Sequence, residues 1–189
     1  MYNGIEIIAE VKTESPSGFK SNESWDELFD IANLVGDKIA IHTNQRWGGH
    51  SDLITKAKNH TSKKILAKNF HTNDDELKKA FEDGADYALV VGRIPGFFDE
   101  RCIIEPTSLD QLYDIKWGYK VVWNARDLSN LIIDVPKRGT FEEARKIWLP
   151  SWLCQASYIR TVDDIKPGAT AVLVGSHLKE FARSMGYSC

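Results

Sequence analysis

The chain has 189 residues, 24 of them Lys or Arg and 27 Asp or Glu, for a net charge of -3, with 42% hydrophobic and 11% aromatic residues. At about 100–200 residues per domain this supplies one domain with a sizeable core, and ordinary apolar content with little net charge excludes a disordered chain. No stretch of about 18 apolar residues offers a membrane span, no basic run offers a nucleic-acid footprint, and Met1–Lys12, interrupted by Glu6 and Glu10, does not read as a secretory signal, so a cytoplasmic protein is expected.

Apolar, β-branched runs alternate with segments of helical period. Ile5–Lys12 reads as a strand, followed by a helix over Trp25–Val35 that Asn22 or Ser24 would cap and Gly36 would end. The run Lys38–Thr43 precedes a loop at Trp47-Gly48-Gly49 and a helix near Ser51–Asn59 with Ser51 as its cap. Lys64–Phe70 precedes a helix over Asp74–Glu82, capped by Thr72 or Asn73. The strands Tyr87–Gly92 and Cys102–Glu105 are separated by only nine residues, too few for a crossover helix. A short helix near Leu109–Ile115, a strand at Tyr119–Trp123, a connection through Leu131–Val135 and a helix over Phe141–Trp148 follow. The remaining elements are a strand around Trp152–Gln155, a helical turn at Val162–Ile165, a strand at Ala171–Gly175 and a helix near His177–Met185.

Eight strand candidates alternating with helices predict parallel strands joined by helical crossovers. Both an open doubly wound sheet and a closed eight-stranded (β/α)8 barrel fit, the count favouring closure. A barrel of this kind usually takes about 250 residues, so this one would be reduced, with the crossover between Gly92 and Cys102 the place of the cut. Three widely spaced cysteines suit a reducing compartment, and five histidines without ligand spacing give no reason to expect a metal.

The runs share a way of ending. Residues two apart on a strand share a face, and the last positions of successive strands carry Glu10 and Lys12, Lys68, Glu105, Asn124 and Arg126, Ser157, and Gly175 with Ser176. In a parallel sheet or barrel these ends lie together where such folds bind ligands. Taken singly, each could be a strand-terminal charge fading into solvent; the set reads better as a constellation. Three cations (Lys12, Lys68, Arg126) against two carboxylates (Glu10, Glu105) favour an anionic ligand. A lysine crowded by a second cation loses basicity and can act as an acid near neutrality. The Gly175-Ser176 turn suits either a phosphate or a plain helix cap by Ser176. Ser15, just past the first strand, is a candidate ligand contact, and His42 is expected in or beside the core without a chemical role.

The segment IAEVKTESPSG at Ile8–Gly18 resembles the first-strand signature of the indole-3-glycerol phosphate synthase family. Similar matches follow in order: IAIHTNQRWGG at Ile39–Gly49, LAKNF at Leu66–Phe70, Ile103-Ile104-Glu105, WNARDL at Trp123–Leu128 and VLVGSHL at Val172–Leu178. The resemblance implies a (β/α)8 barrel acting as a carboxy-lyase in tryptophan biosynthesis. It would close the indole ring of a phosphorylated carboxyphenylamino-deoxyribulose with loss of carbon dioxide and water. By motif position Lys68 is the general acid, Glu105 serves the dehydration, Lys12 meets the anthranilate carboxylate and Glu10 orients the lysines. Asn124 and Arg126 hold substrate polar groups, and Ser15, Ser157, Gly175 and Ser176 fall where phosphate binds. The implied partner is a small phosphorylated substrate with no cofactor, since acid–base and electrostatic catalysis suffice; the oligomeric state is left open. With its first strand starting at Ile5, the chain is expected to lack the helical extension that precedes that strand in the family. The family's seventh strand ends E-S-G-I, against Ala156-Ser157-Tyr158-Ile159 here, and Asn69 replaces the aspartate of its K-D-F. Loss of that carboxylate keeps two further readings open: an impaired barrel that only binds a phosphorylated ligand or partner, and a related lyase or isomerase on another phosphosugar.

Overall fold

In the computed structural model, which describes residues 1–129, 131–149 and 152–189, the apolar runs become the staves of a barrel. The strands are β1 (Glu6–Val11), β2 (Lys38–His42), β3 (Lys64–Lys68), β4 (Tyr87–Val91), β5 (Cys102–Glu105), β6 (Lys120–Asn124), β7 (Leu153–Ala156) and β8 (Ala171–Val174). They pair in parallel and in sequence order, and β8 closes on β1 through Glu6 opposite Ala171 and Ala9 opposite Val174. The closed barrel is therefore the architecture, and the open sheet is not. No described helix is long and apolar enough to cross a membrane.

Strand alternation sorts the side chains into two sets. Outward positions such as Ala9, Ile39, Ile41, Ile65, Val90, Ile104, Val121 and Leu153 meet the helices, while Ile8, Ala40, Leu66, Leu89, Ile103, Val122, Cys154 and Leu173 fill the barrel centre. Below them Lys38 pairs with Glu6 and lies with Lys120 over the Tyr87 ring, which plugs the N-terminal end with charged and aromatic groups. With the centre packed, the opening of the barrel among the described residues lies at the C-terminal ends of the strands.

The helices α1 (Trp25–Val35), α2 (Asp52–Lys58), α3 (Asp74–Glu82), α4 (Gln111–Asp114), α5 (Phe141–Ile147) and α6 (Leu178–Ser184) form the outer layer. Ser24 caps α1 in a reciprocal box with Glu27, Thr140 does the same for α5 with Glu143, and Asn73 caps α3 through Glu76. Two expectations need correction. Ser51 stands before α2, but its side chain makes no capping bond; and α6 starts after His177, so Ser176 is not its cap. Among the described residues no helix joins β4 to β5. The loop between them covers the strands instead, with Ile94 and Phe97 packed on the outer core and the Tyr119 hydroxyl donating to the Phe97 carbonyl at 3.1 Å.

Candidate active site

The mouth of the barrel is a cavity of about 480 Å³. Glu10, Lys12, Lys68, Glu105, Asn124, Arg126, Ser157, Gly175 and Ser176 all line it, as the shared strand ends require. Ser15 does not: its hydroxyl turns to that of Ser17, 2.9 Å away, and Pro16 and Ser17 line the cavity in its place. The cause is a tight turn in which Gly18 N–H donates to the Ser15 carbonyl and draws Ser15 inward.

Glu10 is the hub of one side. It is 3% exposed, and its Oε1 accepts from Lys68 Nζ at 2.7 Å. Burial alone would raise this carboxyl, but the nearby Lys68 and Lys12 cations outweigh it and hold the group well below the usual carboxylate range. Lys12, 7% exposed, has no hydrogen bond or ion pair among the described residues, and its Nζ lies 5.2 Å from the centre of the Phe19 ring. Burial pushes it down to about 8, with Glu10 opposing and Lys68 and Arg126 adding to the fall. A buried ammonium with no direct ion pair, and with Glu10 near but already bonded to Lys68, is a place suited to an anion. Gly175 completes this side by what it lacks: a Cβ there would come within 1.9 Å of Glu10 Oε2.

The opposite side is a relay of neutral and anionic groups. Asn124 Nδ2 donates to Glu105 Oε1 at 2.9 Å, and Asn124 Oδ1 accepts from Ser157 Oγ at 2.6 Å and from the Arg126 N–H at 3.0 Å. Three of the four hydrogen-bonding positions of the Asn124 amide are thus used, fixing Glu105, Arg126 and the start of the β7 loop. That loop turns through left-handed backbone at Ser157 (φ 67°) and Tyr158 (φ 54°), so a tyrosine accepts a conformation that glycine adopts freely. The Tyr158 ring leans outward and its hydroxyl donates to Asp134 at 2.7 Å, where Arg126 Nη2 also donates at 2.9 Å. Asp134 is held there by a short antiparallel ribbon, in which Asp127 N–H donates to the Val135 carbonyl and Lys137 N–H to that of Ala125.

Two groups in the mouth went unassigned from sequence. His42 closes β2 on the inward face, with Nε2 2.5 Å from Glu10 Oε1, and the Ala40–His42 alternation that places it is the one that marks Glu10. Asp134 lies in the loop after β6, where no periodicity could signal it. Trp47 is buried: it stacks on His42 with ring centres 5.4 Å apart and packs against Phe70. Gly49 permits this, because a Cβ there would lie 2.2 Å from the His42 carbonyl oxygen. Ala156 ends β7 facing the cavity, and its methyl leaves an apolar surface beside Leu173. Among the described residues no cluster of His, Cys, Asp and Glu could hold a metal.

The sequence is 32% identical to an indole-3-glycerol phosphate synthase of Picrophilus torridus, over 92% of this chain and 76% of the relative. It is 28% identical to one of Bacillus pumilus, over 94% of this chain and 79% of the relative. Among solved structures, a 3-hexulose-6-phosphate synthase from Salmonella typhimurium superposes with a TM-score of 0.63 at 15% identity, covering 96% of this chain and 98% of the other. Another 3-hexulose-6-phosphate synthase gives 0.60 at the same identity, covering 95% and 99%. At that identity the likeness is one of fold. No protein-family model matches the chain.

Proposed function

The chain belongs to the indole-3-glycerol phosphate synthase family, and from that membership we propose that it is a lyase closing an indole ring on a phosphorylated carboxyphenylamino-deoxyribulose. The observation that carries the reading is the convergence of Glu10, Lys12, Lys68, Glu105 and Asn124 on one cavity. These are the groups the reaction needs.

The unpaired Lys12 ammonium receives the substrate carboxylate and fixes the ring beside Lys68. As the ring carbon bonds to the ketose carbon, the carbonyl oxygen takes a proton from Lys68, whose ammonium Glu10 orients. The bond to the carboxylate then breaks, its electrons restore the aromatic ring, and carbon dioxide leaves. In the dehydration the new hydroxyl departs as water with a proton delivered from the site, and Glu105, aimed by Asn124, takes the proton lost from the adjacent carbon. The phosphate is met at the rim by Ser157, Ser176 and the backbone of the left-handed β7 turn.

Ala156 favours a second reading, a barrel that binds the same ligand without turning it over, because a methyl stands where the family carries a carboxylate. One assay separates the two: purified protein is mixed with the carboxyphenylamino-deoxyribulose phosphate and indole fluorescence is followed. Rising fluorescence supports the lyase, and saturable binding without fluorescence supports the second reading. Neither signal contradicts both and leaves a different phosphosugar.

A further inference from the structure

His42 takes no part in the chemistry above, yet it stands in the same tier of the barrel, its backbone in register with Lys68. The side chain is 7% exposed and lies flat on the Trp47 indole, and Nε2 approaches the same Glu10 oxygen that receives Lys68. Nδ1 has no hydrogen-bond partner among the described residues, and Nε2 meets the Glu10 oxygen at 2.5 Å in charge contact, outside strict hydrogen-bond geometry. A buried polar ring left in that state is costly, and an apolar ring would stack on Trp47 as well. Its presence against a carboxylate–ammonium pair points to an action on that pair.

The charged groups facing the ring are Glu10 of β1, Lys12 just past that strand and Lys68 of β3. Burial, helped by the two lysines, outweighs the pull of Glu10 and lowers the imidazole to about 4, so it is neutral near pH 7. A bare nitrogen that close to a carboxylate oxygen would set lone pair against lone pair, so the proton belongs on Nε2.

We propose that His42 is a positioning residue, whose Nε2–H and stack on Trp47 hold the Glu10 carboxylate, and through it the Lys68 ammonium, in one place in the mouth. Its kinetic consequence rests on the reading of Lys68 as proton donor. The two nitrogens are closed off from the cavity, so the effect falls on kcat and not on substrate binding.

The test compares the full chain with His42→Phe, which keeps a ring on Trp47 but removes both nitrogens, and His42→Gln, which returns an N–H donor. In the ring-closure assay His42→Phe is expected to lose about tenfold or more in kcat with KM within about twofold, and His42→Gln to recover most of the loss. A purely packing role would lower the melting temperature and leave kcat of the folded protein unchanged. Equal kcat in wild type and His42→Phe, or no recovery in His42→Gln, overturns the proposal. A second readout needs no turnover: 15N NMR of histidine-labelled wild type should show His42 as the neutral Nε2–H tautomer from about pH 5 to 8. An imidazolium or a mixture of tautomers in that range overturns the hold on Glu10. Wild type without turnover but with the fixed tautomer would instead count against the lyase reading alone.

Discussion

In the role proposed for it, Lys12 serves the ligand at the expense of the fold. Its ammonium is buried without a direct ion pair among the described residues and lowered to about 8 from an ordinary 10.5, chiefly by burial. Below pH 8 the folded protein carries this unpaired cation in full. Between about 8 and 10.5 the unfolded chain holds a proton that the folded chain has released, so stability rises with pH across that window. Lys12→Met is accordingly expected to raise the melting temperature at pH 7 by a few degrees while weakening substrate binding; a lower melting temperature would contradict this. In the wild type, kcat/KM should be level up to about pH 8 and fall about tenfold per unit above it, as the free enzyme loses the charge. The charges of this tier were legible in the sequence, because alternation puts Glu10 and Lys12 on one face and Asn124 and Arg126 on another. Ser15 was not, since one turn with Gly18 moves it behind Ser17. His42 carries no signal of its own, because the residues leading up to it, Ile39, Ala40 and Ile41, are all apolar.

The proposed chemistry lies at the strand ends, and two of them depart from the family: Asn69 after β3, and the end of β7. Ala156 faces the cavity between Asn124 of β6 and Leu173 of β8. Ala156→Glu would return a carboxylate to that position, reaching into open space and not into packed core. It is expected to raise kcat about tenfold or more if the β7 carboxylate assists proton transfer, measured against wild type in the fluorescence assay; an unchanged rate would show that Glu10 and Glu105 suffice. The next turn keeps its left-handed backbone despite Tyr158, because the ring can swing out to Asp134. From sequence, tyrosine in place of the family's glycine is visible only as a departure from E-S-G-I. The backbone angle and the partner in a loop 24 residues away could not be read there.

At the scale of the whole barrel, closure depends on covering β4 and β5 without a helix between them. Nine residues sufficed to foresee the missing helix, but not its substitute, because a loop that packs through Ile94 and Phe97 has no period to betray it. Phe97→Ala should cost about 1–3 kcal/mol, read as a lower denaturation midpoint with an unchanged slope; no loss would mean the loop does not seal the wall. The centre of the barrel stays packed by the β-branched and aliphatic residues that made the strands legible, and this rigid floor fixes the ends above it. The central claim is that Lys68, set by Glu10 in that mouth, donates the proton that closes the ring. Its most direct test is Lys68→Ala beside wild type, with the carboxyphenylamino-deoxyribulose phosphate as substrate, following indole fluorescence and, by calorimetry, binding. Turnover by wild type and a fall in kcat of about 10²–10⁴ in Lys68→Ala, with binding retained, are expected. Equal turnover by the two proteins would contradict the claim.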